Sequence, residues 1–320
     1  MKTLKDIISP VEAEFAQVKE VLKGGLRSEY IELDKVAKHL VSMRGKMMRP
    51  LLTLLSAKLT GEITEKTINV AATIEYVHSA TLVHDDIIDE AYTRQNQLSL
   101  STVLRSHTAV LFGDYMFTKG LSLISKAKGY RELDLVIGAI EALVEGELLQ
   151  SKGVRSMNVT KESYMDVARL KTASLIATAA EVGATTSGAG QEAEGKMRTF
   201  GELVGVAFQI QDDILDYSPT SKSGKTPYND IKERKITLPL ICAMQSGGVS
   251  IIRDVKAGRV KRVSDFVAEH KGVERAKEEI GKIIDHAVSI IESFEACDSE
   301  RIAVKESLKT LALFAGDRLK

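Results

Sequence analysis

At 320 residues, with lysine plus arginine matching aspartate plus glutamate at 44 each, the chain can bury a substantial core and has no net charge that would call for a nucleic-acid partner. Its two cysteines, Cys242 and Cys297, lie far apart without metal-ligand spacing, which excludes a disulfide scaffold and points to a reduced, cytoplasmic protein. The stretch Met1-Lys2-Thr3-Leu4-Lys5-Asp6 lacks the apolar core of a signal peptide, and no segment reaches the ~18 uninterrupted apolar residues of a membrane span, so any lipid contact is expected to be peripheral.

Five prolines, no tryptophan and apolar residues at three-four spacing predict an all-α protein without strands. In chain order the predicted helices run over 4–23, 28–43, 48–60, 65–92, 101–126, 130–152, 160–185, 190–218, 236–246, 262–270, 272–295 and 299–317. The breaks at Gly24-Gly25, Gly45, Gly61, Gly129, Gly188 to Gly190, Ser218 to Asn229 and Gly247-Gly248 are too short to act as linkers, which predicts one domain over 1–320.

Helices 65–92, 130–152, 160–185 and 190–218 are the longest, and their centres are apolar nearly all round, as in Ile137-Gly138-Ala139-Ile140 and Val204-Gly205-Val206-Ala207-Phe208. Such helices are expected in the middle of a large bundle. Two of them carry matching acidic motifs, Asp85-Asp86-Ile87-Ile88-Asp89 and Asp212-Asp213-Ile214-Leu215-Asp216. Carboxylates in an apolar setting need a positive partner, so the pair predicts bound cations and a central cavity between the two aspartate-rich helices.

Residues four apart share a helix face, so Asp85 and Asp89 point one way and Asp212 and Asp216 another, while each second aspartate is rotated by about 100°. Oxygen-rich sites of this kind suit Mg²⁺, which shares its ligands with substrate phosphates. Glu75-Tyr76-Val77-His78 has the Glu-x-x-His spacing of a di-iron ligand pair. That chemistry needs a second such step, and histidines 39, 84, 107, 270 and 286 all lack a glutamate three residues before them. His78, Thr81 or Leu82, Asp85 and Asp89 instead form one helical stripe.

Cations recur at places that suit anions. Lys46 and Arg49 lie one turn apart before Pro50, Lys171 stands within the apolar run Ala168 to Leu175, and the segment Lys222 to Lys235 is basic and contains Gly and Ser. A lone buried lysine is unfavourable without an anion. On the residues alone, a surface KxxR, a satisfied core histidine at 78 and a solvated loop at 222–235 remain open alternatives.

Taken in order, Gly45-Lys46-Met47-Met48-Arg49-Pro50, Glu75 to Glu90, Phe112-Gly113-Asp114-Tyr115, Glu145-Gly146-Glu147, Lys171-Thr172-Ala173, Gln209 to Asp216 and Gly224 to Pro239 resemble the trans-isoprenyl diphosphate synthases, or polyprenyl synthetases. The resemblance implies an isoprenoid synthase bundle that condenses an allylic diphosphate with isopentenyl diphosphate, with Mg²⁺, about three ions bound with the substrate diphosphate, as cofactor. It assigns Asp85, Asp89, Asp212 and Asp216 to the metal, and Lys46, Arg49 and His78 to isopentenyl diphosphate. Lys171, Thr172, Gln209, Arg94, Lys225 and Lys235 fall to the allylic diphosphate. Asp85, Asp89, Asp212 and Lys171 form the catalytic set.

Ala80 and Thr81, one turn before Asp85, are small where short-chain members of the family often carry an aromatic, so a long-chain product is expected. Helix 101–126 is rich in apolar side chains, which either pack in the core or, by the resemblance, form a homodimer interface; the resemblance also leaves room for peripheral membrane contact at product release. After the first motif the family usually has two arginines, whereas this chain has Arg94-Gln95. Loss of one charge-assisted contact of about 1.5–3 kcal/mol keeps a second function open, that of a weakly active or non-catalytic partner subunit of a hetero-oligomeric synthase.

Overall fold

The computed structural model describes residues 3–25, 46–88, 102, 106–217 and 227–316, together with the backbone of two short strands. The chain is all-α. Its helices are α1 (Leu4–Ile8), α2 (Glu12–Gly25), α3 (Met48–Thr60), α4 (Glu65–Ile88), α5 (Ser106–Lys126), α6 (Tyr130–Ser156) and α7 (Lys161–Val167), followed by a π-helical segment Ala168–Ala173. Then come α8 (Ser174–Thr186), α9 (Gln191–Asp216), α10 (Asn229–Lys232), α11 (Leu238–Gly247), α12 (Ile252–Lys256), α13 (Val260–Glu269), α14 (Gly272–Glu292) and α15 (Ser299–Gly316). Strands β1 (Thr93–Arg94) and β2 (Gln97–Leu98) pair antiparallel, Thr93 with Leu98 and Arg94 with Gln97, a two-residue ladder that the helical reading did not anticipate.

Local chemistry sets the helix ends. Thr64 and Thr67 exchange backbone-to-hydroxyl bonds at 3.1 and 3.2 Å, a reciprocal cap that starts α4 at the predicted residue. Thr160 and Ser163 cap α7 in the same manner, and Pro239 near the start of α11 gives up no intrahelical bond. Pro10 sits in a 3₁₀ turn, Ser9–Val11, which divides the predicted 4–23 helix into α1 and α2. Helix 28–43 lies outside the described residues.

Contacts divide the chain into two compact units, each assembled from separated stretches of sequence. In the first (Met1–Gly138, Thr178–Arg198, Phe294–Thr310), α2, α3 and α5 all pack on α4. The reason is composition: α4 buries Val70, Ile74, Tyr76, Val77, Ala80 and Val83, so no side of its middle is left for water. The Tyr76 hydroxyl donates to the Leu22 carbonyl at 2.9 Å and Thr73 donates to the Gly120 carbonyl at 3.1 Å, fastening α4 to α2 and α5.

In the second unit (Ala139–Ala177, Thr199–Ser293, Leu311–Lys320), α7, α13 and α14 pack on α11, which buries Leu238, Leu240, Ile241 and Ala243. Lys161 on α7 pairs with Glu279 on α14 at 2.8 Å.

Helix 130–152 departs from its expectation. It extends to Ser156 and is not interior throughout: Val144, Leu148 and Leu149 are exposed, Leu148 by 64%. An apolar run alone does not distinguish a core face from an uncovered one.

Candidate active site

Within the first unit the anion- and metal-binding candidates fall on the start of α3 and the last turns of α4. Met47 adopts a left-handed conformation, φ 50°, and α3 begins only at Met48. Lys46 therefore precedes the helix rather than lying one turn before Arg49, as its spacing had suggested; it is exposed and Arg49 is half-buried. On α4, His78 and Asp85 are half-buried on the stripe expected from their spacing, whereas Asp86, rotated away, is only 3% exposed. Ala80 is fully buried, and buried Thr81 returns its hydroxyl to the His78 carbonyl at 2.8 Å.

Asp85 and Asp86 occupy the last turn of α4, where no basic residue is present. The helix dipole places partial negative charge there, so carboxylates are disfavoured by roughly 0.3–1 kcal/mol each unless a cation joins them. Nearby, a Cβ on Gly113 of α5 would lie 2.1 Å from Nε2 of His84, so glycine is what lets the His84 ring reach the Val110 carbonyl at 3.2 Å. Asp89 lies outside the described residues, as do the side chain of Arg94, Gln95 and Lys225.

The second unit repeats the arrangement at the end of α9. Asp212, Asp213 and Asp216 sit in its last turns, again without a basic neighbour on the helix. Their environments differ. Asp212 is half-buried. Asp213 is buried and accepts the Tyr164 hydroxyl at 2.5 Å on Oδ2 and the Gln209 amide at 2.8 Å on Oδ1. Burial, reinforced by the Asp230 carboxylate, holds its acid group well above the ordinary aspartate range despite these two donors.

Asp216 serves the chain beyond the helix. Its carboxylate accepts the backbone amides of Asn229 at 2.9 Å and Asp230 at 3.0 Å, and its carbonyl accepts the Tyr228 amide at 2.8 Å. Tyr228 is left-handed at φ 63° and stands edge-on to Tyr217, with ring centroids 6.5 Å apart. A single aspartate thus caps α10 and secures an unfavourable backbone conformation beside it. The spacing of the motif gave no sign of this role. Lys235, a few residues on, pairs with Glu233 at 2.5 Å.

Lys171 and Thr172 lie in the π segment, so the single helix expected over 160–185 is interrupted at its functional residues. Two glycines make room for the wide turn. A Cβ on Gly146 would lie 2.5 Å from the Lys171 nitrogen, and one on Gly205 would lie 2.5 Å from the Ala173 Cα. Lys171 is not the isolated buried cation inferred from its apolar flanks. It is 23% exposed, forms an ion pair with Glu147 and donates to Gln150 Oε1 at 2.8 Å. Thr172 donates to Gln209 Oε1 at 2.6 Å.

The donor set fits magnesium by its chemistry: hard carboxylate oxygens, at helix ends that favour a cation. Among the described residues no group of three or more His, Cys, Asp or Glu side chains converges tightly enough to hold an ion by itself.

A helical fold with two carboxylate-bearing helix ends and a π turn presenting Lys171 and Thr172 defines an isoprenoid-synthase type of protein. The chain belongs to the polyprenyl synthetase family, whose sequence profile matches residues 31–266. It is 29% identical over 331 residues to the octaprenyl diphosphate synthase of Haemophilus influenzae, covering 99% of this chain and 98% of that protein. It is also 37% identical over 245 residues to the all-trans-nonaprenyl-diphosphate synthase (geranyl-diphosphate specific) of Rhodobacter capsulatus, with 76% and 75% coverage. Among solved structures, the polyprenyl synthase of Caulobacter crescentus complexed with calcium and isoprenyl diphosphate superposes with a TM-score of 0.91 at 28% identity, over 99% of this chain and 98% of that one.

Proposed function

We propose that this protein is a prenyltransferase that condenses an allylic diphosphate with isopentenyl diphosphate and makes a long-chain all-trans polyprenyl diphosphate. The observation that carries the reading is the recurrence of paired aspartates in the last turns of α4 and again of α9, in a chain whose relatives are named octaprenyl and nonaprenyl diphosphate synthases.

Asp85, Asp89, Asp212 and Asp216 are the residues that would hold Mg²⁺. When bound, Mg²⁺ supplies the positive charge that stabilises the departing diphosphate. Lys171 neutralises the same diphosphate, trading Glu147 for it, and Thr172, Gln209, Arg94, Lys225 and Lys235 complete its anchorage. Lys46, Arg49 and His78 hold isopentenyl diphosphate, whose double bond attacks the allylic cation; the proton released goes to the diphosphate that has left. Apolar walls keep water from quenching the cation, and no protein nucleophile takes part. Ala80 and Thr81, both small and buried, leave the growing chain room beyond the first motif.

The reading extends to assembly. The chain 1–320 acts as one domain, which the interleaving of both units along the sequence supports, since neither can be excised as a continuous piece. It acts as a homodimer, for which exposed Val110 and Leu111 on α5 offer an apolar surface. No helix among the described residues is long and apolar enough to cross a membrane, so a cytoplasmic enzyme would meet membrane only peripherally, when the product leaves.

Gln95 supports the competing reading of a partner subunit, but Asp85, Asp212, Lys46, Arg49, His78, Lys171 and Gln209 are all retained, which a non-catalytic subunit does not require. The test is incubation of the purified chain alone with Mg²⁺, labelled isopentenyl diphosphate and allylic primers of several lengths. Long prenyl products from this chain alone establish the reading; turnover only on addition of a second protein would replace it with the partner-subunit one.

A further inference from the structure

Tyr164 belongs to none of the motifs above, yet it is the first member of a continuous hydrogen-bonded chain. Its hydroxyl donates to Asp213 Oδ2 at 2.5 Å, Gln209 Nε2 donates to Asp213 Oδ1 at 2.8 Å, and Thr172 donates to Gln209 Oε1 at 2.6 Å. Tyr164 and Asp213 are buried, whereas Gln209 and Thr172 are half-exposed. The order of donors matters. Asp213 accepts at both oxygens, from Tyr164 on Oδ2 and from Gln209 on Oδ1, which fixes the end of the Gln209 amide that carries nitrogen, and the oxygen end then receives Thr172. One amide N–H of Gln209 remains for an anion; a flipped amide would turn its oxygen toward negative charge instead. Tyr164 and Gln209 occupy both oxygens of Asp213, which keeps that carboxylate from rotating.

We propose that Tyr164 is a positioning residue for the allylic diphosphate, acting through Asp213 to hold Gln209 and Thr172 in their binding orientation. The inference rests on the reading that Gln209 and Thr172 bind this diphosphate, and it adds a residue that neither aspartate motif contains. Tyr164 is buried and is linked to Gln209 through Asp213, so its removal acts on the allylic side of the site. Without the hydroxyl, Asp213 keeps a single donor and its hold on the amide loosens.

The test uses full-length protein with Mg²⁺ and an unreactive allylic thiolodiphosphate, its dissociation constant measured by calorimetry, beside steady-state kinetics. Tyr164→Phe is expected to weaken the analogue about tenfold and raise KM for the allylic substrate by a similar factor, leaving KM for isopentenyl diphosphate unchanged. Thr172→Ala, at the other end of the chain and not in contact with Tyr164, is expected to weaken the analogue comparably. The double variant should fall clearly short of the product of the two single effects, because both break the path that orients Gln209, although Thr172→Ala also removes a contact of its own. Independent effects that multiply to about a hundredfold would overturn the inference, as would an unchanged dissociation constant in Tyr164→Phe. Should that variant fail to fold, Asp213→Asn keeps the volume and removes one acceptor, and the same non-additivity with Thr172→Ala is required of it. Failure of the wild-type protein to bind the analogue at all would instead remove the underlying reading of the site.

Discussion

Gly146 meets Lys171 main chain to main chain: a Cβ at 146 would lie 2.5 Å from the Lys171 nitrogen and 2.9 Å from its Cα. The contact explains why the π turn can sit close against α6, and so where its lysine is presented. Gly146→Ala must push the π segment away, at a cost of about 1–3 kcal/mol in denaturant unfolding. KM for the allylic diphosphate should rise about tenfold while KM for isopentenyl diphosphate stays put, since only the Lys171 side of the site moves. Unchanged kinetics in a destabilised variant would separate the glycine's packing role from any role in placing Lys171.

Asp216 and Asp212 belong to one motif but should respond differently to substitution. Asp216→Ala leaves the Asn229 and Asp230 amides without their acceptor beside a left-handed Tyr228, so stability should fall by about 1–3 kcal/mol and hydrogen exchange over 227–233 should quicken. Asp212→Ala should leave that exchange unchanged and raise the Mg²⁺ concentration for half-maximal rate further than Asp216→Ala does. Equal Mg²⁺ shifts and unaltered exchange in Asp216→Ala would make its metal role the dominant one.

The Lys161–Glu279 pair steadies α7 three residues before Tyr164. A hydrogen bond from Lys161 is the largest cause holding Glu279 below its ordinary value. The folded state therefore binds this proton less readily than the unfolded one, so the pair's stabilisation is complete above the ordinary glutamate pKa and disappears as pH falls through the depressed one. Lys161→Met should lose stability at neutral pH, by no more than about 1 kcal/mol because water screens the pair. The deficit should vanish in acid, which thermal unfolding at several pH values would reveal; a deficit independent of pH would mean the lysine acts by packing alone.

Ala80 is fully buried on α4, five residues before Asp85. Ala80→Phe places an aromatic at this level, costing about 1–3 kcal/mol of stability, and should shorten the principal product while early condensations continue. Chromatography of the dephosphorylated products measures it. Wild-type chain length from a folded Ala80→Phe variant would put the floor of the chain path elsewhere.

How far the sequence could be read depended on whether a feature was local. Helix 48–60 falls where its apolar periodicity placed it, and Thr64 starts α4 because its cap is written in neighbouring residues. The different fates of Asp85 and Asp86 also follow from helical rotation. Lys171 and Asp216 stand out in the sequence as charged residues within apolar runs, but their partners Glu147, Asn229 and Asp230 are set by tertiary contact or by a returning chain. The π turn escaped for the same reason: Ala168–Ala173 has ordinary helical composition, and the room for its wider coil comes from Gly146 and Gly205 on other helices. Tyr164 belongs to no sequence motif, and nothing within its own helix announces Asp213.

The most direct test is the rate of prenyl transfer by Asp85→Ala and by Asp212→Ala, measured with Mg²⁺, an allylic primer and isopentenyl diphosphate alongside circular dichroism. Loss of at least about a thousandfold in each variant, with helix content intact, is the expected result if prenyl transfer needs the carboxylates of both motifs. A folded variant of either kind that stays within tenfold of the wild type would contradict it.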